Sequence, residues 1–317
     1  SELGVHRNTV VKAYGELVSE GLLTASRQAP KGYFVQSAVN SWNFNNRFFP
    51  LEKMIRYHYN EREKRFQEIF NDSVYKGYIS FGGIVMDKKV DPAGDMGSIV
   101  KHMLQFDEDG EIMSFYHDDS ERLKKNICHI LAAENMYVNA KNVQIVAETN
   151  QALYYLMTLY LSEGDSVIVE EPIVPDNASI FRNGGLNMVT VPMEADGMDM
   201  DKLEMQIKKH KPKFMPNFHN PTGAVMSLSK RERLLEIAQR YGVPIIEEDS
   251  QRDFRYTQER LPSLYSLDQY KSVVYVDSFT LTFPYGVKAG YVVGPYDLVD
   301  MLGRLITMTE TFVSNMG

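Results

Sequence analysis

Cysteine is almost absent from this sequence, since its 317 residues contain only Cys128. A single thiol excludes a disulfide within the chain and fits a reducing cytoplasm. Cys128 lies in an apolar-periodic stretch, Ile127–Leu131, which favours a small buried core residue over a reactive thiol. The seven histidines are also sparse, and none lies near cysteine or carboxylates at the spacing of metal ligands. We therefore expect no metal site.

Long apolar runs are missing as well. None approaches the ~20 residues that a transmembrane helix needs, and no basic-then-apolar leader opens the chain. We therefore expect a cytoplasmic protein without a membrane partner. The chain opens on Ser1 in the middle of a motif, so we expect its N-terminus to be incomplete. The net charge of −8 argues against unspecific polyanion binding by the whole surface, but leaves room for a small DNA-binding module.

The first residues have the pattern of a turn and a helix. Gly4 is a turn residue, Asn8 or Thr9 can cap a helix that runs to about Glu20, and Gly21 can end it. Apolar residues recur at spacings of three and four, which predicts one apolar stripe along this helix. The stripe contains Val10, Ala13, Tyr14, Leu17 and Val18.

Two short strand-like runs follow the helix and predict a β-hairpin wing. Leu22–Thr24 and Gly32–Val35 lie on either side of Ser26–Lys31, which forms the basic tip. A solvated amphipathic helix beside a hairpin is one interpretation. The order of turn, helix, hairpin and basic tip is more specific, however, and is typical of a winged helix-turn-helix that enters the major groove of DNA. The candidate DNA-binding residues are His6, Arg7, Asn8, Thr9, Lys12, Arg27 and Lys31.

The same segment resembles the second half of a GntR-type winged helix. The usual run of that family is Gly-Val-Ser-Arg-Asn-Thr-Val, followed by Ala-Tyr, Leu, Glu-Gly-Leu and Gly-Thr-Phe-Val. This sequence matches it except for His6 in place of serine and Tyr33 in place of threonine. Residues 1–36 are thus identified as part of a winged helix-turn-helix whose first helix and most of whose second helix are absent from the chain.

The rest of the chain predicts a linker and a large α/β domain. Residues 37–78 are an aperiodic segment followed by a charged amphipathic helix at Leu51–Phe70. From 79 to 295, strand-like and helical runs alternate, which predicts a mostly parallel sheet covered on both faces. The strand-like runs are Val143–Ala147, Ser166–Val169, Met188–Val191, Lys213–Asn217, Pro244–Glu247, Ser272–Val276 and Gly290–Val293, and the helical runs are Arg122–Ala133, Leu153–Leu161, Asp201–His210 and Lys230–Tyr241.

Ligands of such sheets bind at the carboxyl ends of the strands. Three loops there, Asn217–Gly223, Glu247–Tyr256 and Asp277–Tyr291, resemble those of fold-type I aminotransferases, and specifically of the MocR branch of GntR regulators. The resemblance runs in order over nearly the whole chain. It implies a homodimer, a double-stranded DNA operator, a possible small-molecule effector and pyridoxal phosphate as the family's cofactor. It also identifies residues 296–317 as the start of a truncated small domain.

The lysine that holds the cofactor in that family is missing from its expected position. The family's run Ser-Phe-Ser-Lys-Thr-Leu-x-Pro-Gly-Leu-Arg-x-Gly-Tyr aligns without a gap on Ser278–Tyr291 and places Leu281 at the lysine. Leucine can neither form an imine nor move the α-proton. Lys288 replaces the arginine that contacts the phosphate, and we do not expect it to substitute for the lysine.

Other cofactor positions depart from the resemblance as well. Glu248 corresponds to the aspartate at the ring nitrogen, Ser250 to a tyrosine that faces the cofactor, and Val174 to a stacking aromatic. The phosphate-binding turn is replaced by Ala147–Gln151, in which Glu148 is a poor neighbour for a phosphate. Asn220 and Ser278 are retained, although such residues also shape the sheet edge whatever the pocket holds.

We therefore expect a DNA-binding regulator with a catalytically inactive, cofactor-free aminotransferase-like domain that dimerises and senses an effector. Two alternatives stay open. One is a pyridoxal-phosphate-dependent aminotransferase, or a regulator that responds to this cofactor. The other is non-covalent binding of a vitamin B6 form or an amino acid by Asn220, Glu248 and Lys288. No catalytic residue is expected, and the vestigial cofactor positions are Asn220, Glu248, Ser250, Ser278, Leu281 and Lys288.

Overall fold

A computed structural model of the chain divides it into two compact units, Ser1–Glu61 and Arg62–Gly317. The boundary between the two units falls within the predicted linker, residues 37–78. The domain limits at residues 36, 78 and 295 stay predictions. The structure describes residues 4, 6–20, 22–26, 31–35, 64–65, 68–69, 71–72, 89, 92–106, 120–217, 220–254, 261–283 and 288–310.

The first unit contains the predicted helix and hairpin. Helix α1 (Arg7–Ser19) is followed by strands β1 (Leu23–Ser26) and β2 (Gly32–Val35), which pair antiparallel. The ring of Tyr14 on α1 lies 4.7 Å from that of Tyr33 on β2, measured between centroids, so the helix contacts the hairpin. Among the described residues α1 buries none, and the predicted apolar stripe is therefore only partly covered.

The start of α1 corrects one expectation. Neither Asn8 nor Thr9 is the N-cap, because the helix already begins at Arg7. His6 is the cap residue, and its Nδ1 accepts the backbone N–H of Asn8 at 3.3 Å. An imidazole nitrogen can thus replace the hydroxyl of the serine that the GntR pattern has at this position.

The second unit alternates helices and strands. The described part of the predicted linker helix at Leu51–Phe70, namely Lys64, Arg65, Glu68 and Ile69, is helical. The elements that follow are α2 (Ala93–Gln105), α3 (Ser120–Ala132), β3 (Val143–Val146), α4 (Thr149–Tyr160), β4 (Ser166–Glu171), α5 (Pro175–Asn183), β5 (Asn187–Glu194), β6 (Gly197–Met198), α6 (Met200–His210), β7 (Met215–Asn217), α7 (Leu228–Tyr241), β8 (Ile245–Glu248), α8 (Leu264–Leu267), β9 (Val273–Ser278), β10 (Gly290–Val293) and α9 (Tyr296–Glu310).

The strands of the second unit form a five-stranded mixed sheet and a three-stranded sheet, which are joined by a bridge. Strands β3-β10-β9-β8-β7 are adjacent in that order, and β4 pairs with β5, which pairs with β6. The backbone N–H of Ile168 donates to the carbonyl of Phe214 at 3.1 Å and thereby joins β4 to the segment before β7. The predicted mostly parallel sheet is confirmed, with β10 antiparallel to both β3 and β9.

Successive residues of the strands bury into different cores. On β4, Val167 and Val169 join the cluster that contains Leu156 of α4 and Leu302 of α9, whereas Ile168 joins the cluster on the other face. This alternation confirms that helices cover both faces of the sheet.

Cys128 is half-buried and packs against a third cluster formed by α3, β3 and β10. Burial raises the pKa of its thiol, as expected for a core cysteine.

In the described part of the chain, no helix combines the length and the apolar composition required to cross a membrane.

Arg231 on α7 is the buried cation that holds α7, β8 and the segment before α8 together. Its Nε donates to the carbonyl of Met226 and one guanidinium nitrogen donates to that of Pro262, both at 3.1 Å. The Glu247 carboxylate lies 3.7 Å from the same guanidinium and accepts the backbone N–H groups of Leu264 and Tyr265 at 2.8 and 2.9 Å.

Replacing Arg231 with alanine leaves two carbonyls without donors and Glu247 without its cation. We expect Arg231→Ala to lower the free energy of unfolding by about 3 kcal/mol. Arg233→Ala on the same helix is the matched control, because Arg233 only pairs with Asp201 at the surface, and it should cost less than about 1 kcal/mol. Urea unfolding measures both, and equal losses would contradict the role given to Arg231.

Candidate functional site

A cleft of about 200 Å³ lies where the strands of the large sheet end. Its floor is made by Glu248 and Ser278, the last residues of β8 and β9. The N-terminal turns of α4 and α5 form the adjoining wall. The residues that line the cleft are Glu148, Thr149, Asn150, Val174, Asp176, Asn177, Asn220, Glu248, Ser250, Gln251, Ser278, Thr280 and Leu281.

The structure brings most of the predicted cofactor positions together in this cleft. Asn220, Glu248, Ser250, Ser278 and Leu281 line it, as do Glu148 and Val174. Lys288 does not belong to the lining but contacts Glu148 from outside it.

Six lining residues were missed by the sequence reasoning. Asp176 and Asn177 were missed because α5 was not recognised as a helix. The sequence feature that could have indicated the start of α5 is Pro175, because proline is favoured at the first position of a helix. The other four lie in motifs that the sequence identified but were not singled out: Thr149 and Asn150 in the Ala147–Gln151 turn, Gln251 in the Glu247–Tyr256 loop and Thr280 in the Asp277–Tyr291 loop.

An ion pair occupies the N-terminus of α4. Glu148 is the N-cap residue, but its side chain makes no capping hydrogen bond. Its Oε2 instead lies 3.0 Å from Nζ of Lys288, and the Gln151 side chain accepts the Ala147 N–H at 2.6 Å. A helix N-terminus attracts anions, and here the protein's own carboxylate is already present. The two positions that the resemblance assigns to phosphate recognition therefore bind each other.

The Glu248 carboxyl at the cleft floor is held by hydroxyl groups. Ser250 Oγ donates to Glu248 Oε1 at 2.5 Å, and the Thr149 side chain also hydrogen-bonds this carboxyl. Burial is the largest cause of a raised pKa for Glu248, and the negative charge of Asp277 adds to it. Glu248 is therefore easier to protonate than an exposed glutamate, and it can donate as well as accept a hydrogen bond.

A buried network lies behind the cleft. The Asp277 carboxylate accepts the hydroxyl of Tyr291 at 2.6 Å and lies 3.3 Å from Nε of Arg252. Arg252 also donates to the hydroxyl of Tyr275 at 3.2 Å, and that hydroxyl donates to Asp249 at 3.1 Å. Since Asp249 follows Glu248 and Asp277 precedes Ser278, this network fixes the backbone of both strand ends that form the cleft floor.

The lining fits pyridoxal phosphate poorly. Among the described residues that line the cleft there is no lysine, arginine or histidine. An aldimine needs a lysine amino group, whereas Leu281 and Val174 contribute only apolar surface. At the α4 N-terminus, the Glu148 carboxylate would face a phosphate. No described group of three or more His, Cys, Asp or Glu side chains is placed to hold a metal ion.

The candidate DNA-binding residues lie mainly at one end of the first unit. His6, Arg7, Asn8 and Thr9 are exposed at the start of α1, where the first turn contains no acidic residue. Lys12 is exposed too, with its Nζ 4.0 Å from Glu16. At this distance and exposure such a pair contributes little. Lys31 is exposed beside β2, whereas Arg27 lies outside the described residues.

A family model and curated proteins match this chain. The model of the family "Aminotransferase class I and II" matches residues 91–313, more than half of the chain. The chain is 30% identical to a 2-aminoadipate transaminase of Thermus thermophilus over 71% of this chain and 57% of that protein. It is 25% identical to the probable rhizopine catabolism regulatory protein MocR of Rhizobium meliloti over 99% of this chain and 63% of that protein. The chain thus spans less than two thirds of either relative.

The fold also matches solved structures. The alpha-aminoadipate aminotransferase LysN from Thermus thermophilus, complexed with N-(5′-phosphopyridoxyl)-L-leucine, aligns with a TM-score of 0.71 at 24% identity. The alignment covers 81% of this chain and 67% of that one. This likeness confirms the predicted fold-type I, aminotransferase-like α/β fold.

Asp249 provides a pH test of the buried network. Burial, assisted by the charges of Glu247 and Asp277, raises the pKa of Asp249 to about 7. An unfolded aspartate titrates near ~3.9. The folded state therefore holds this proton more tightly, and its stabilising effect, complete below about pH 4, is lost as the pH rises through about 7.

We expect Asp249→Asn, which stays neutral and can still accept from Tyr275, to gain stability relative to the wild type as the pH rises from about 4 to about 8. The gain should be on the order of 1 kcal/mol or more. Urea unfolding at several pH values measures it, with the exposed Asp297→Asn as control. A wild-type-to-variant difference that does not change with pH would show that Asp249 does not titrate in this range.

Proposed function

The chain belongs to the aminotransferase class I and II family, and from this premise we propose that it is part of a DNA-binding transcription regulator. In this proposal the helix and hairpin of the first unit belong to a winged helix-turn-helix that binds an operator. The aminotransferase-like domain dimerises and senses an effector without aldimine chemistry. Such a regulator acts in the cytoplasm, where a single cysteine stays reduced.

The observation that carries the DNA-binding role is the exposed start of α1 beside the hairpin. Arg7 and Asn8 are the side-chain types that read guanine and adenine in the major groove, and both are exposed at the helix N-terminus. The MocR relative matches 99% of this chain, so its similarity includes this segment, whereas the transaminase matches 71%. In a homodimer, two such units would bind half-sites separated along the DNA.

We expect Arg7→Ala to weaken DNA binding by about tenfold or more, since a bidentate arginine–guanine contact contributes on the order of 1–3 kcal/mol. The operator would first be selected from random double-stranded DNA with the whole chain, and affinity then measured at several salt concentrations. Arg304→Ala, an exposed arginine of the second unit, is the control. An affinity that depends neither on salt nor on Arg7 would refute the DNA role.

The proposal that aldimine chemistry has been lost rests on two features of the cleft. Leu281 lines it where the family has its lysine. The Glu148–Lys288 pair adds a second obstacle, because a phosphate would have to displace the carboxylate from the ammonium. Lys288 itself approaches from outside the lining.

An active pyridoxal-phosphate-dependent aminotransferase is the alternative. It is favoured by the 30% identity to a 2-aminoadipate transaminase. The two functions differ in a spectroscopic signature, because an internal aldimine absorbs in the visible range and is fixed to the protein by borohydride.

We expect no such aldimine when pyridoxal phosphate is added to the purified chain. After borohydride treatment, peptide mass spectrometry should find no phosphopyridoxyl group on Lys288 above the level on exposed lysines such as Lys202. Leu281→Lys is the informative companion variant, since it restores the amine but leaves the Glu148–Lys288 pair. A clear internal aldimine in the wild type would overturn this part of the proposal.

A further inference from the structure

We propose that the cleft binds a small, phosphate-free molecule with a protonated amine, which Asp176 and the buried amide of Asn177 recognise. This inference rests on the proposed effector-sensing role of the aminotransferase-like domain and names the chemical class of its ligand.

Both helix N-termini that reach the cleft already carry a carboxylate. Glu148 is the N-cap residue of α4, and Asp176 lies in the first turn of α5. Each carboxylate interacts favourably with the partial positive charge of its helix end. Each end thus already carries a negative charge, which opposes the binding of a ligand's phosphate or carboxylate.

The charge of the lining favours a cation. Three of the described lining residues are acidic, namely Glu148, Asp176 and Glu248, and none is basic. Lys288 pairs with Glu148. Asp176 is exposed at the cleft, and the described structure gives it no ion pair. Since Lys288 offsets Glu148 and burial makes Glu248 easy to protonate, Asp176 is the lining carboxylate best placed to attract a cation.

Two polar side chains of the lining, those of Asn177 and Thr280, are available to a ligand. Asn177 is only 6% exposed and lines the cleft, and the described part of the chain gives its side-chain amide no hydrogen bond, so this amide is available to a ligand. The hydroxyl oxygen of Thr280 is buried and has no partner there either. Buried polar groups in native proteins are nearly always hydrogen-bonded. A ligand in the cleft would satisfy both.

The chemistry of these groups matches an ammonium ion. An ammonium has three donors and no acceptor, and the lining offers acceptors on carboxylates, amides and hydroxyls. Asp176 supplies the counter-charge, and the Asn177 carbonyl oxygen can accept a second hydrogen bond. The side-chain N–H₂ of Asn177 and the hydroxyl of Thr280 can donate to a hydroxyl or carbonyl group elsewhere on the same ligand.

Two matched sets of compounds test the proposal by calorimetric titration of the whole chain. Pyridoxamine is compared with pyridoxine, in which a hydroxyl replaces the amine, and with pyridoxamine 5′-phosphate. Glucosamine is compared with N-acetylglucosamine and with glucosamine 6-phosphate. We expect at least one of the two phosphate-free amines to bind, and its neutral and phosphorylated counterparts to bind about tenfold more weakly or worse.

Two variants locate the binding site, with the binding amine as titrant. Asp176→Asn and Asn177→Leu should each weaken that amine about tenfold. Asp297→Asn is the matched control, because Asp297 also lies in the first turn of a helix, α9, but does not line the cleft. Thermal unfolding of each variant without ligand shows whether it is folded.

Three results would overturn the proposal. One is that neither amine binds at millimolar concentration. Another is that a phosphorylated compound binds more tightly than its amine. The third is that folded Asp176→Asn and Asn177→Leu bind the amine as well as Asp297→Asn does. None of these measurements involves DNA, so failure of the DNA role and failure of the amine site can be told apart.

Discussion

A sheet that is covered by helices on both faces constrains everything else in the second unit. Its strands must bury apolar side chains on both faces of the sheet, as Val167 and Ile168 of β4 do on opposite faces. Polar side chains are therefore concentrated where the strands end, and Glu248 and Ser278 occupy such positions. The cleft follows from this constraint, because the N-termini of α4 and α5 meet the same edge of the sheet.

The chemistry of the cleft depends on which side chains supply the charges at the N-termini of α4 and α5. In this chain Glu148 and Asp176 supply negative charge, and Lys288 is held by Glu148. The same fold with a lysine at position 281 and an uncharged α4 N-terminus would be open to a phosphorylated aldehyde. A small number of side chains can thus convert a cofactor site into a site of different specificity without altering the fold.

Much of the fold could be predicted from the sequence, because strand and helix periodicities are strong where one face is buried. The strand-like run at Val143–Ala147 and the helical run at Lys230–Tyr241 correspond to β3 and α7 within a few residues. The loops also identified Asn220 and Ser278 as candidate cofactor positions, and both line the cleft. The direction of β10 and the partners of several side chains could not be predicted. The antiparallel pairing of β10 and the Arg252 network depend on contacts between residues that are far apart in sequence. The His6 cap depends on local geometry that a sequence pattern does not encode.

We propose that the cleft no longer serves the cofactor of its family. A crystal structure of the chain grown with an excess of pyridoxal phosphate tests it most directly. We expect Glu148 and Lys288 to stay paired and no phosphate density to appear at the N–H groups of Thr149 and Asn150. Phosphate density at those groups, with Glu148 turned away from Lys288, would contradict it.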